Sequence, residues 1–270
     1  VAYNRLRALV MHPLTHTRRL HRKTILIDGQ RLLVGGTCFA DRMVDWRDTM
    51  LSIEGPVAKH AAQEFELGWK GTTLQVRERP ERAAGIVPPL PEIWSYLVCG
   101  PRPMVQRQFR DGLLAAIKGA QRRVDLTTPY LVPTSEMTAV FVALAQSGVQ
   151  VRIITPGIPD KSYVYSVTRS NYRQLVEAGV AVYEYTPGFI HAKQMIVDDD
   201  TAIIGTINFD FRSFYLHQEN AVWMYQTSAI ADMSADFEET LAKCRRIDLA
   251  MVRSTPWWRR AGWLVLRTFS

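Results

Sequence analysis

Cysteine is scarce in this sequence: Cys38, Cys99 and Cys244 are the only three in 270 residues, and none stands in a CxxC pair. That excludes a disulfide framework and a thiolate zinc site, and it fits a reducing compartment. Long apolar runs are missing as well. None reaches the roughly 18 residues that a membrane-crossing helix needs, and no signal-peptide pattern occurs. What is left is an ordinary globular composition, 47% hydrophobic and 22% charged, enough for one large domain or two smaller ones. Acidic residues are outnumbered by basic ones, giving a formal charge of +7. Such a balance suits anionic partners, whether nucleic acid, an acidic membrane surface or phosphorylated small molecules.

The informative feature is a repetition. "HRKTILID" at residues 21–28 returns as "HAKQMIVD" at 191–198. Adding 170 carries His21 to His191, Lys23 to Lys193, Asp28 to Asp198 and Gly35 to Gly205. Each copy continues as a second short apolar run, "RLLV" or "TAII", after an acidic turn, "DGQ" or "DDD". Two apolar runs around such a turn predict a hairpin.

Between the copies, residues 56–70 have helical periodicity with Pro56 at the start, and 71–103 are rich in Pro, Gly and Arg and read as a linker. Helical and strand patterns then alternate: "RDGLLAAIKGAQ" as helix, "RVDLTTPYLV" as one strand, and "SEMTAVFVALAQSG" as a helix capped by Ser135. "VQVRIITP" follows as strand, "SNYRQLVEAG" as helix and "VAVYEY" as strand. This alternation predicts an α/β layered domain over 104–248. The second motif has a long α/β framework ahead of it and the first, within a domain ending near residue 70, has 20 residues. We therefore expect a pseudo-twofold pair of mixed-sheet α/β domains, the first incomplete in this chain, a piece of a longer protein.

On an extended chain, side chains at i and i+2 share a face. His21 and Lys23 should therefore project together, and His191 with Lys193. Two imidazoles and two ammonium groups in one pocket suit a phosphodiester: one neutral His attacks phosphorus, the other protonates the leaving oxygen, and the lysines offset charge on the phosphoryl oxygens. The mechanism requires neither metal nor cofactor. Imidazoles also need orienting partners. Asp48, 13 residues after Gly35, and Glu219, 14 after Gly205, are the candidates. Asp28 and Asp198 fall at the hairpin turns, where Asp is also favoured for local hydrogen bonding.

The doubled HxKxxxxD, followed by Gly-x-x-Asn in the second copy, resembles the phospholipase D superfamily. "WRDTMLSIEGPV", "TTPYLVP", "YEYTPGFIHAK" and "GTINFDFRSFYLHQENAV" resemble the bacterial cardiolipin synthases in particular. That resemblance implies phosphatidyl transfer between two phosphatidylglycerol molecules, through a phosphohistidine, with release of glycerol. It implies a catalytic set of His21, Lys23, Asp28, His191, Lys193 and Asp198, with His21 the nucleophile and His191 acid and then base. Asn208, Gly36 and Thr206 would bind phosphate with the lysines, and a membrane anchor upstream would hold the enzyme at the bacterial inner membrane. Cys38 departs from the pattern, standing where the family has Asn, and Cys is a poor hydrogen-bond donor.

The tail 249–270 mixes Trp257, Trp258 and Trp263 with arginines; it predicts either an interfacial helix on anionic lipid or a terminal helix packed on the body. A lipid partner is expected over nucleic acid, since one chain supplies both motifs. Tyr163, Tyr165, Arg169 and Tyr172 are weaker candidates for a headgroup path, and His12, His16, His60 and His217 read as structural or surface.

Overall fold

An extended strand shows neighbouring side chains to opposite faces, so the unbroken apolar runs of the second half mark strands covered on both sides. They form one mixed eight-stranded sheet in a computed structural model that describes residues 19–38, 40–69, 92–100 and 103–254. Its spatial order is β13 (Cys244–Arg246), β8 (Ala181–Tyr185), β7 (Gln150–Pro156), β5 (Arg123–Thr127), β9 (Gln194–Val197), β10 (Thr201–Gly205), β12 (Glu219–Tyr225) and β4 (Ile93–Cys99). β5, β7 and β8 run parallel, as helical crossovers require, and the remaining neighbours pair antiparallel.

The first half contributes a three-stranded antiparallel sheet, β1 (Thr24–Ile27), β2 (Arg31–Gly35) and β3 (Met50–Glu54), with the helix α1 (Pro56–Trp69). Leu32, Val34, Ile53, Val57 and Ala61 from this half share one core with Ile196, Ile204, Val222 and Met224 of the large sheet. The opposite face of the large sheet, with Leu126, Ile153, Met195 and Val197, is covered by α2 (Pro103–Lys118), α3 (Ser135–Gln146) and α5 (Tyr172–Glu177). The two halves therefore meet through a common apolar layer, and the functional segments lie where they join.

Both predicted hairpins are present, β1–β2 and β9–β10. Their turns enter through Asp28 and Asp198, both at φ 52, a left-handed conformation that Asp tolerates better than most residues. Four readings need correction. The presumed linker contains β4, which pairs along its whole length with β12; its "IWSYLVC" is a strand flanked by turn-forming sequence. "RVDLTTPYLV" is two strands, β5 and β6 (Leu131–Val132), because Pro129 between them cannot donate to a ladder. α3 is capped by Thr134, whose hydroxyl accepts from the Met137 amide, and not by Ser135. "SNYRQLVEAG" spans the end of α4 (Ser162–Ser170) and all of α5, with a break at Asn171, whose side chain donates to the Leu131 and Val167 carbonyls.

Candidate active site

The two His-x-Lys segments are extended stretches leading into β1 and β9, each docked on a segment from the other half. His21 N–H donates to the Gln218 carbonyl (2.9 Å), and His191 N–H to that of Arg47 (2.7 Å). The next residue in each supporting segment is the predicted carboxylate. Glu219 Oε2 therefore meets His21 Nδ1 at 2.8 Å, and Asp48 Oδ2 meets His191 Nδ1 at 2.8 Å. The orienting carboxylates are crossed: each half supplies the partner of the other half's histidine. With Nδ1 engaged, the Nε2 of each ring is left for substrate. Lys23 Nζ donates to its own His21 carbonyl at 3.1 Å, and Lys193 Nζ repeats this contact with His191.

The carboxylates are themselves held. Asp48 Oδ1 accepts from the Thr49 amide (2.9 Å). Glu219 accepts from the hydroxyls of Thr206 (2.5 Å) and Ser213 (3.0 Å). Gly36 and Thr206, expected among the phosphate-binding residues, adjoin these carboxylates. Thr206 is fully buried behind the imidazole, engaged with Glu219. Its repeat counterpart Gly36 makes room for Asp48, for a Cβ there would lie 2.7 Å from Oδ1 and 3.0 Å from the His191 carbonyl.

Asp28 and Asp198, expected in the catalytic set, lie apart from the histidines along the chain. They stand at the hairpin turns, at the far ends of β1 and β9 from the lysines. The Asp198 carboxylate accepts from the amides of Gln121, Arg122 and Arg123 at 2.6–2.9 Å; although burial opposes it, these bonds hold its pKa below the usual range. It fastens the turn to the start of β5.

Burial and like charge set the electrostatics. His191, with 7% of its side chain exposed, is pushed down to about 4 by desolvation, with the Lys193 ammonium adding to the effect. Burial also lowers Lys193, to about 7, and shifts Lys23 downward. Glu219 falls to about 2: burial would raise it, but the His21 and His217 imidazoles and the Thr206 hydroxyl outweigh that. Burial and the neighbouring lysine thus hold His191 toward its neutral form.

Three side chains that motif reading passed over belong to the site. Trp46 packs on His191, ring centroids 4.9 Å apart, and His217 on His21 at 5.6 Å. Each lies two residues before the crossed carboxylate, so extending the repeat to Trp46/Asp48 and His217/Glu219 would have revealed them. Ser213 is the third. His21, His217 and Glu219 also bring three metal-ligating atoms within 4.8 Å of one another.

Cys38 lines an open cleft of about 460 Å³ with Thr37, Met43, Val44, Trp46 and Asp48. Its counterpart Asn208 is buried, and among the described residues its Oδ1 has no hydrogen-bond partner. The headgroup-path residues are otherwise engaged. Tyr172 is buried with its hydroxyl 2.6 Å from that of Thr155, and Tyr165 and Arg169 serve the buried Glu184; Tyr163 is exposed. The tail from 255 on, with His12 and His16, lies outside the described residues. Among the described residues no helix is long and apolar enough to cross a membrane.

Residues 113–241 match the family model described as cardiolipin synthase, PLD-like domain. The chain is 35% identical over 252 residues to a cardiolipin synthase of a Geobacillus species, covering 88% of this chain and 49% of that one. A cardiolipin synthase of Halalkalibacterium halodurans is 32% identical over 250 residues, 90% of this chain and 50% of the relative. The chain thus spans about half the length of the curated relatives it matches. Among solved structures, phosphatidylserine synthase of Haemophilus influenzae superposes with a TM-score of 0.69 at 16% identity, over 94% of this chain and 69% of that one. The phospholipase D family member Nuc of Salmonella typhimurium gives 0.50 at 18% identity, over 58% and 99%. The fold is thus the one seen in phospholipase D family structures, and along about nine-tenths of its length the chain is similar to cardiolipin synthases.

Proposed function

We propose that the chain carries the reaction centre of a cardiolipin synthase, which transfers a phosphatidyl group from one phosphatidylglycerol to another. The observation that carries this reading is the crossed pair of carboxylates, which engages Nδ1 of each imidazole, with Lys23 and Lys193 within electrostatic reach of His191. The neutral His191 attacks phosphorus through Nε2, forming a P–N bond as the P–O bond to glycerol breaks. His21, paired with the anionic Glu219, delivers the proton that the glycerol oxygen needs. The acceptor phosphatidylglycerol then gives its hydroxyl proton back to His21 and attacks the phosphohistidine. The P–N bond breaks, freeing His191 and releasing cardiolipin. This order reverses the roles that the family resemblance implies, and the low pKa of His191 favours it.

Lys23 and Lys193 are costly to bury as cations, and the arriving phosphodiester anion offsets that cost. Phospholipid is the substrate class that the cardiolipin synthase relatives support, and an anionic membrane surface is the partner that the basic charge suits. The test is incubation with phosphatidylglycerol vesicles in EDTA, with cardiolipin, glycerol and phosphatidic acid followed by mass spectrometry. Cardiolipin and glycerol in equal amounts are expected. Phosphatidic acid alone would make the chain a hydrolase, with water in the acceptor's place, and no lipid product would overturn the reading.

A further inference from the structure

The pseudo-twofold relation sets Trp46 over His191 and His217 over His21. An indole offers only an N–H, whereas an imidazole offers a lone pair. His217 is largely enclosed, and its Nδ1 stands 3.4 Å from Glu219 Oε1. Glu219 is fully buried and holds His21 Nδ1 on its other oxygen at 2.8 Å. One atom from each of His21, His217 and Glu219 lies within 4.8 Å of the other two. Two imidazoles and a carboxylate, three ligands with a fourth position open, are a donor set that zinc(II) accepts.

We propose that His21, His217 and Glu219 form a zinc-binding site that inhibits the phosphoryl-transfer centre. The ion takes Nδ1 of both imidazoles and an oxygen of Glu219. It thereby removes the carboxylate from His21 and puts a dication on Nδ1 of the ring whose Nε2 must accept and release a proton. The half built around His191 has Trp46 at the equivalent position, and among the described residues it offers no such set. The inhibitory role rests on the proposed transfer reaction; the binding site does not.

Titration calorimetry of the metal-stripped chain with zinc chloride tests the site without turnover. One equivalent is expected to bind, and cobalt(II) in its place should give the visible absorption of a four-coordinate ion. Because loss of even an outer partner of a metal ligand costs roughly tenfold to a hundredfold in affinity, H217A and H217F should each weaken zinc at least about tenfold. H217F keeps a ring against His21, and unchanged circular dichroism of either variant separates a lost ligand from a lost fold. No binding at micromolar zinc, or binding unaltered in both folded variants, overturns the site. Reversible inhibition by zinc, absent in H217F, is the outcome that extends it to regulation; binding without inhibition overturns the regulatory half. Failure of the lipid assay in EDTA, by contrast, would bear on the proposed function and leave the binding result intact.

Discussion

His191 and His21 donate the same kind of backbone hydrogen bond and face the same kind of carboxylate, yet their surroundings differ in polarity. His191 lies under Trp46 and Phe189 with 7% of its side chain exposed; His21 lies beside His217 with 29% exposed. Asp48 is steadied by a neighbouring amide, whereas Glu219 takes two hydroxyl bonds as well as its imidazole neighbours. A duplicated scaffold thus fixes geometry twice, while what surrounds each ring differs, and burial shifts His191 downward.

The comparison breaks most sharply at the covalent step. If His191 is the nucleophile, H21A should still form a phosphoenzyme, slowly, that peptide mapping places on His191. H191A should form none. Either change should lower steady-state transfer by about a hundredfold or more, the range for loss of a positioned proton-transfer group. Phosphate mapped to His21 would restore the order that the family resemblance implies and show that bound substrate, not the resting pKa, decides the roles.

A second difference is read in stability. His191 has a folded pKa of about 4 against an ordinary 6.5, so between those values the unfolded chain binds more protons. Stability is then present above pH 6.5 and is lost as pH falls toward 4. At ~1.4 kcal/mol for each pKa step, the loss comes to about 3 kcal/mol. Urea unfolding at pH 7 and pH 4.5 should show it. H191Q should reduce the acid loss, whereas H21Q should leave it in place. Lys193, with a pKa of about 7, acts above this window.

Much of this was legible in the sequence. The hairpins, the His-x-Lys pairs and both carboxylates follow from one repetition, because each has a fixed offset from a glycine. The crossing was not, since offsets carry no information on which half's carboxylate reaches which imidazole. The contacts of Gly36 and Thr206 were not legible for a related reason: a residue next to a motif can face the site or adjoin the carboxylate behind the imidazole, and here both adjoin a carboxylate. His217 was missed because its counterpart is Trp46, a different residue type, and the repeat had been followed through matching chemistry only. β4 was lost inside a stretch whose Pro, Gly and Arg content reads as linker, since seven residues of strand in 33 barely alter composition.

The smallest expected effect concerns the other place where the halves differ. Asn208 and Cys38 occupy matching positions after Gly205 and Gly35. The Cys38 thiol lies within electrostatic reach of both lysines and makes only a long contact, 3.7 Å, to the Gly36 carbonyl. A thiol is a weak donor and an amide a good one; a hydrogen bond to a charged group contributes roughly 1.5–3 kcal/mol, less where the site is partly open to water. C38N should therefore raise kcat/KM by a few-fold, up to about tenfold. N208C should lower it by at least as much, because it also leaves a buried cavity. Titration of the wild-type chain with a thiol-alkylating reagent gives a second reading, since a bulky group on Cys38 would fill the cleft beside Asp48 and Trp46. If C38N leaves kcat/KM unchanged while N208C abolishes transfer, phosphate is held from one half only, and the asymmetry of the imidazoles extends to the phosphate they attack.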